Sequence, residues 1–243
     1  SHIVIAVPDL QVGAAFYGKE LGLLERPGGV SEIAEIVFEV GPSLLALRLD
    51  PDAPTREELD GPVPTVDHLS FLVDSLDESW SVLKNRDIDF YSEPMITAPG
   101  YRNMQRALLG IRDPFGYVLQ VSETVDPRPE VAERRGAKTQ MAESASTSGP
   151  FDGIDHISTY CSNFAQTRSF YLEQLGLEEF FHSTAREEGT EVKEGFGQSA
   201  YALGGTDVEL TCQPSCEILP GPVVELGFRA SDVEGLYGDL KKN

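Results

Sequence analysis

Three of the four histidines in this 243-residue chain, His2, His68 and His156, occupy equivalent places. Each sits in a short apolar run, followed by a polar turn and then a helical pattern. In an extended strand alternate side chains share a face. His68 therefore stands with Val66, Ser70 and Leu72, opposite Leu69, Phe71 and Val73. Gln120 shares a face with Val118 and Ser122, His156 with Ser158 and Tyr160, Glu209 with Thr211, and Glu225 with Gly227 and Arg229. One face is apolar and the other collects groups that need hydrogen-bond partners when buried. That division predicts a strand-lined cavity for a small molecule. The plainer alternative is inheritance, in which each copied histidine bonds a backbone carbonyl.

The equivalence comes from a repeat, the first thing to seek in a chain of this length. HIVIAVPDLQVGAAFYGKELGL at residues 2–23 matches HISTYCSNFAQTRSFYLEQLGL at 156–177 without a gap. His2/His156, Phe16/Phe170, Tyr17/Tyr171 and Gly22/Gly176 all lie 154 positions apart. A third copy runs from Val66 to Ile88, and a fourth begins at Val223 and stops with its helix. Each copy predicts a strand, a helix capped by Asp9, Asp74, Asn163 or Ser231, and a stop at Gly22 or Gly176 in the first and third. Three further strands follow: 24–26, 32–40 and 44–49 in unit one, then 89–92, 105–112 and 117–122 in unit two. The last two are joined by the turn Asp113-Pro114-Phe115-Gly116. The reading is an α+β fold of repeated βαβββ units. Residues 1–125 would form one module from units one and two. A polar linker covers 126–150, and 151–243 form a second module that is incomplete at its C-terminus. An incomplete module would leave strands open to a second copy of the chain, giving a homodimer. Ser1-His2 opens the chain without a lead-in, so either residues were removed before it or the true start precedes it.

Composition narrows the partners. Forty acidic against nineteen basic residues give a net charge of −21 and a pI near 4.4, which repels nucleic acid and anionic membrane surfaces. Against such a background an arginine turned into a cavity stands out. No apolar stretch reaches the roughly 18–20 residues of a membrane span, so a cytoplasmic location is expected. Cys161, Cys212 and Cys216 predict reduced, packed thiols rather than a zinc knuckle.

The segments HIVIAVPDL…FYGKELGL, VDHLSFLV, DPFGYVLQV and HIST…FYLEQLGL resemble the vicinal oxygen chelate superfamily. That superfamily includes glyoxalase I, extradiol dioxygenases, methylmalonyl-CoA epimerase, and the fosfomycin and bleomycin resistance proteins. The resemblance implies two open barrels and a divalent transition metal (Fe, Mn, Ni or Zn) on His and Glu ligands. It implies His2, His68 and Gln120 as ligands in module one, with Gln120 standing where a Glu is usual. It implies His156, Glu209 and Glu225 in module two, with Glu225 at the place of His68. Lewis-acid catalysis on two adjacent substrate oxygens would follow, and the catalytic base stays unassigned. Arg48, Tyr101, Arg102 and Arg106 are candidates for an anionic or aromatic substrate, while Glu35 and Glu39 read as water-facing.

Three readings remain at this level. The first is a metal-dependent lyase, isomerase or dioxygenase working in module one. The second is a metal-free protein that sequesters a small molecule, favoured by Gln120 and weakened by the single tryptophan, Trp80, on a helix. The third is a scaffold in which one module supports the other.

Overall fold

A computed structural model describes residues 2–27, 35–54, 63–97, 105–126, 128, 150–184, 196–212, 218–219, 221–227, 234 and 241. Unit one supplies β1 (His2–Val7), β2 (Leu24–Glu25), β3 (Glu35–Val40) and β4 (Ser43–Leu49). After a short β5 (Val63–Pro64), unit two supplies β6 (Val66–Leu72), β7 (Asp89–Phe90), β8 (Met95–Ile96), β9 (Arg106–Arg112) and β10 (Val118–Thr124). Unit three supplies β11 (Gly153–Cys161), β12 (Glu178–Ser183), β13 (Gly197–Leu203) and β14 (Thr206–Cys212). Then come β15 (Ile218–Leu219) and the first strand of unit four, β16 (Val223–Gly227).

The helices begin where short polar side chains can accept from free N–H groups. Asp9 accepts from Gln11 and Val12, and Asn163 from Gln166. The middle helix is capped by Ser75, which accepts from Glu78, and not by the expected Asp74. Ser231 lies outside the described residues. The first and third helices close in a π-helical turn, Ala15–Glu20 and Phe170–Gln174. The chain leaves them through Gly22 and Gly176 at φ 82° and 66°, a conformation that favours glycine.

The strands assemble differently from the expected modules. One sheet runs β16-β1-β4-β3-β2, joining unit one to unit four. The other runs β12-β13-β14-β11-β6-β10-β9-β7, with β8 on β9, joining unit three to unit two. The expected partnership of units one and two, and of three and four, is therefore replaced at the level of strand pairing. Burial supplies the reason. Ile3, Ile5, Leu45 and Leu47 of unit one share a core with Leu69, Phe71, Leu119 and Val121 of unit two. Units one and two meet through their apolar faces and helices, so the edges of β1 and β6 stay free for other partners. Each pairs antiparallel with the first strand of a later unit, β1 with β16 and β6 with β11. Unit three keeps a smaller core of its own around Tyr201, Val208 and Leu210.

The turn after β9 fastens the two buried faces together. Asp113 Oδ1 accepts from the backbone N–H groups of Phe115 (2.9 Å) and Tyr117 (2.8 Å). Its Oδ2 accepts from the Tyr17 hydroxyl of unit one at 3.0 Å. Burial pushes the Asp113 carboxyl up to about 6, against roughly 3.9 in an unfolded chain. The folded protein thus binds this proton more tightly, and the group's contribution to stability falls as pH rises through that window. Asp113→Ala, which strands two buried donors and a half-buried one, should lower the unfolding free energy by about 2–4 kcal/mol. In urea titrations, the advantage of wild type over Asp113→Asn should be larger at pH 4.5 than at pH 7.

Candidate functional site

The seam between β6 and β11 carries two histidines on the polar face. His68 lies across from Ser158, and His156 from Ser70. Two β-bulges shape this seam. The register steps over Asp155 between Ile154 and His156, and over Asp67 between Ser158/His68 and Thr159/Val66. A bulged residue is released from strict alternation and can be re-aimed, so each aspartate reaches the histidine that follows it. Asp67 Oδ2 lies 2.6 Å from His68 Nδ1, and Asp155 Oδ2 lies 2.8 Å from His156 Nδ1. A carboxylate accepts, which places the Nδ1 proton on each ring facing its aspartate. The two Nε2 atoms lie 3.1 Å apart, and in the neutral tautomer that the aspartates favour each turns a lone pair toward the other.

Neighbouring strands close the cluster. Glu209 of β14, across from Ser158, brings Oε2 to 3.8 Å from His156 Nε2. Asp207 sits directly across from His156 and is fully buried. Arg106, at the start of β9, is 2% exposed. Its Nη1 donates to Glu209 Oε1 at 2.9 Å. Its Nε lies 3.1 Å from Asp155 Oδ2, within ion-pair reach but out of hydrogen-bond alignment. Asp155 Oδ2 also accepts from Ser122, which accepts from Ser70 at 2.8 Å. Burial, with Arg106 alongside, holds His156 well below the usual imidazole range. It is therefore a neutral ring at neutral pH.

The donor set fits a divalent transition metal. Two cis nitrogens bound at about 2.0–2.1 Å stand roughly 3.0–3.4 Å apart, and the Nε2 pair has that separation. Unprotonated imidazoles and a carboxylate are the forms that ligate, and carboxylates on the far nitrogens fix the rings. Among the described residues no third His, Cys, Asp or Glu has already converged with the pair. Glu209 is the expected donor closest at hand, shared at present with Arg106.

The expected ligand sets are thus redistributed. His68, His156 and Glu209 come together, whereas His2 and Glu225 meet in the other sheet. Gln120 lies on the same polar face as His68, across from Ser70, and its amide is hydrogen-bonded to Tyr91. The Tyr91 ring covers Gly110, where an added Cβ would lie 2.2 Å from Tyr91 Cζ. At the β1/β16 seam, His2 Nε2 donates to Glu225 Oε1 at 2.8 Å. Arg48 bridges Glu225 (3.2 Å) and Glu35 (2.6 Å), so Glu35 is an ion-pair partner and not simply water-facing. Glu39 is half-buried. Tyr101, Arg102 and Cys216 lie outside the described residues, while Cys161 and Cys212 are free, buried thiols. Trp80 packs edge-on against Phe90, 5.0 Å between centroids, on the helix side of the sheet. Sequence reasoning missed Asp67, Asp155 and Tyr91. The signal for the first two was the Asp-His dipeptide that units two and three share.

The family model for the Glyoxalase/Bleomycin resistance protein/Dioxygenase superfamily matches residues 1–121. Glyoxalase I from Zea mays superposes with a TM-score of 0.65 at 15% identity, covering 99% of this chain and 77% of that one. A presumed dioxygenase from Bacillus subtilis gives 0.64 at 16%, covering 98% and 71%. These likenesses are of fold. No curated protein sequence matches.

The buried cluster should reveal itself in stability. Asp155→Ala removes a fully buried carboxylate and leaves Arg106 with one anionic partner, and should cost about 3–5 kcal/mol. Asp67, whose side chain is 32% exposed, should cost less than about 1 kcal/mol on the same change. Equal losses in urea denaturation would contradict the placement of the two dyads.

Proposed function

The chain belongs to the glyoxalase/bleomycin resistance protein/dioxygenase superfamily through residues 1–121, and from that premise we propose a metal-dependent small-molecule enzyme of the glyoxalase or dioxygenase kind. Its centre is the β6/β11 seam. His68 and His156 would hold a divalent transition metal, with Glu209 as the third donor. The carrying observation is the approach of the two Nε2 atoms to 3.1 Å, each ring backed by an aspartate at Nδ1. The mutual repulsion of these nitrogens calls for a cation between them, because the aspartates behind keep the Nδ1 protons. When bound, the metal would supply Lewis-acid stabilisation to a substrate that offers two adjacent oxygens.

The protein's own residues do the positioning. Asp67 and Asp155 lock the ring orientations, and the Ser70–Ser122 hydroxyl chain fixes Asp155 in turn. Asp155 and Glu209 are both buried against the histidine pair, and carboxylates in such surroundings favour a cation. The sequestration reading has less support, since Trp80 packs on the helix side and not in the cleft.

Elemental mass spectrometry tests the proposal, on protein as purified and after reconstitution. Close to one transition-metal ion per chain is expected. It should be lost in His68→Ala and in His156→Ala and kept in His2→Ala. A wild type that takes up no metal, or a metal that leaves with His2 and stays without His156, sinks the proposal.

A further inference from the structure

Arg106 is the feature that a metal centre alone leaves unexplained. A guanidinium carries five N–H donors in a fixed fork. Here Nη1 is committed to Glu209 and Nε faces Asp155, while Nη2 makes no hydrogen bond although it is shut off from solvent. A buried donor without a partner is costly, more so when charged. Moreover, a positive charge beside a cation site works against the cation. Both costs vanish when an anionic oxygen lies against Nη2 while a neighbouring oxygen faces the histidine pair.

The strand geometry puts Arg106 in the right neighbourhood. In β9 it shares the polar face with Leu108, Gly110 and Arg112, the face that also bears Gln120 and Ser122 of β10. It touches Glu209 and Asp155, each of which lies against His156. The guanidinium is therefore one side chain removed from the Nε2 pair.

We infer that Arg106 selects the substrate, and that the substrate is a small 2-oxo or 2-hydroxy carboxylate whose carboxylate oxygen takes the free Nη2. The inference rests on the metal reading, because the surrounding aspartates and Glu209 repel an anion until a cation is present. Arg106 provides the directional half of recognition. A guanidinium bond to a carboxylate is charge-assisted and planar, so a neutral substrate with the same two oxygens leaves the donor unpaired and loses affinity.

Glycolate and its neutral isostere glycolamide separate these cases, titrated by isothermal calorimetry into protein whose metal content is measured on the same sample. Metal-loaded wild type should bind glycolate at least about tenfold more tightly than glycolamide. That preference should disappear in Arg106→Gln with metal content unchanged. If this variant does not fold, nitrogen-15 arginine spectra of wild type decide. The Arg106 guanidinium resonances should shift with glycolate and stay in place with glycolamide. Metal-loaded protein that treats the two ligands alike, or an Arg106→Gln variant that keeps the preference, overturns the role of Arg106 and leaves the metal centre standing. A protein that never holds metal overturns both.

Discussion

Everything at the centre of this protein depends on how two first strands meet. When β6 and β11 pair antiparallel, the residues opposite each other are fixed by register, and His68 and His156 come to lie one pair apart on the same face. Unbroken alternation would send Asp67 and Asp155 to the reverse, apolar face, where an unpaired carboxylate would be very costly. The two bulges prevent this. Each spends one residue of regular pairing to bring an aspartate round to the histidine that follows it, and the result is approximately two-fold about the seam. The dyads are thus a consequence of strand geometry, and the bare Nε2 pair is a consequence of the dyads.

The same geometry explains why the units pair as they do. A βαβββ unit has an apolar face that must be covered and a first strand whose edge must be paired. In units one and two the apolar faces cover each other, with Tyr17 reaching across to Asp113. This leaves both first strands needing an edge partner, and units three and four supply one each. Edge and face demands are met by different neighbours, so the chain interleaves its repeats.

Much of this was legible in the residues. The 154-residue offset, the polar and apolar faces, the glycine stops and the Asp-Pro-Phe-Gly turn all appear where the sequence places them. Unit pairing did not, because the four first strands carry the same apolar pattern and nothing local distinguishes one antiparallel partner from another. Ser75 displaces Asp74 as a cap because either side chain can serve and one residue of helix phase decides. The candidate residues stand on the polar strand faces, and sheet pairing groups them by neighbours that the sequence does not indicate. His68, His156 and Glu209 are drawn from both expected modules. Arg106 could be seen as a candidate, but its burial between two carboxylates depends on β9 and β14 approaching the same cleft from units far apart in sequence.

The two seams are built alike and have become chemically different. Glu225 stands at the place of His68, and the bulge before it, at Val224, survives without a carboxylate. A histidine facing a histidine brings two ring nitrogens to 3.1 Å, with an aspartate behind each. A histidine facing a glutamate forms a hydrogen bond and, when protonated, an ion pair, as His2 and Glu225 do at 2.8 Å. Arg48 then completes the neutralisation between Glu225 and Glu35. His2 and Glu225 are also 44% and 46% exposed by side chain, so water can solvate whatever charge remains. Gly227 gives the His2 ring its room, since a Cβ there would come within 2.0 Å of it. Two changes of residue type, His68 to Glu225 and Asp67 to Val224, thus separate a buried histidine pair backed by aspartates from an exposed ion-pair network.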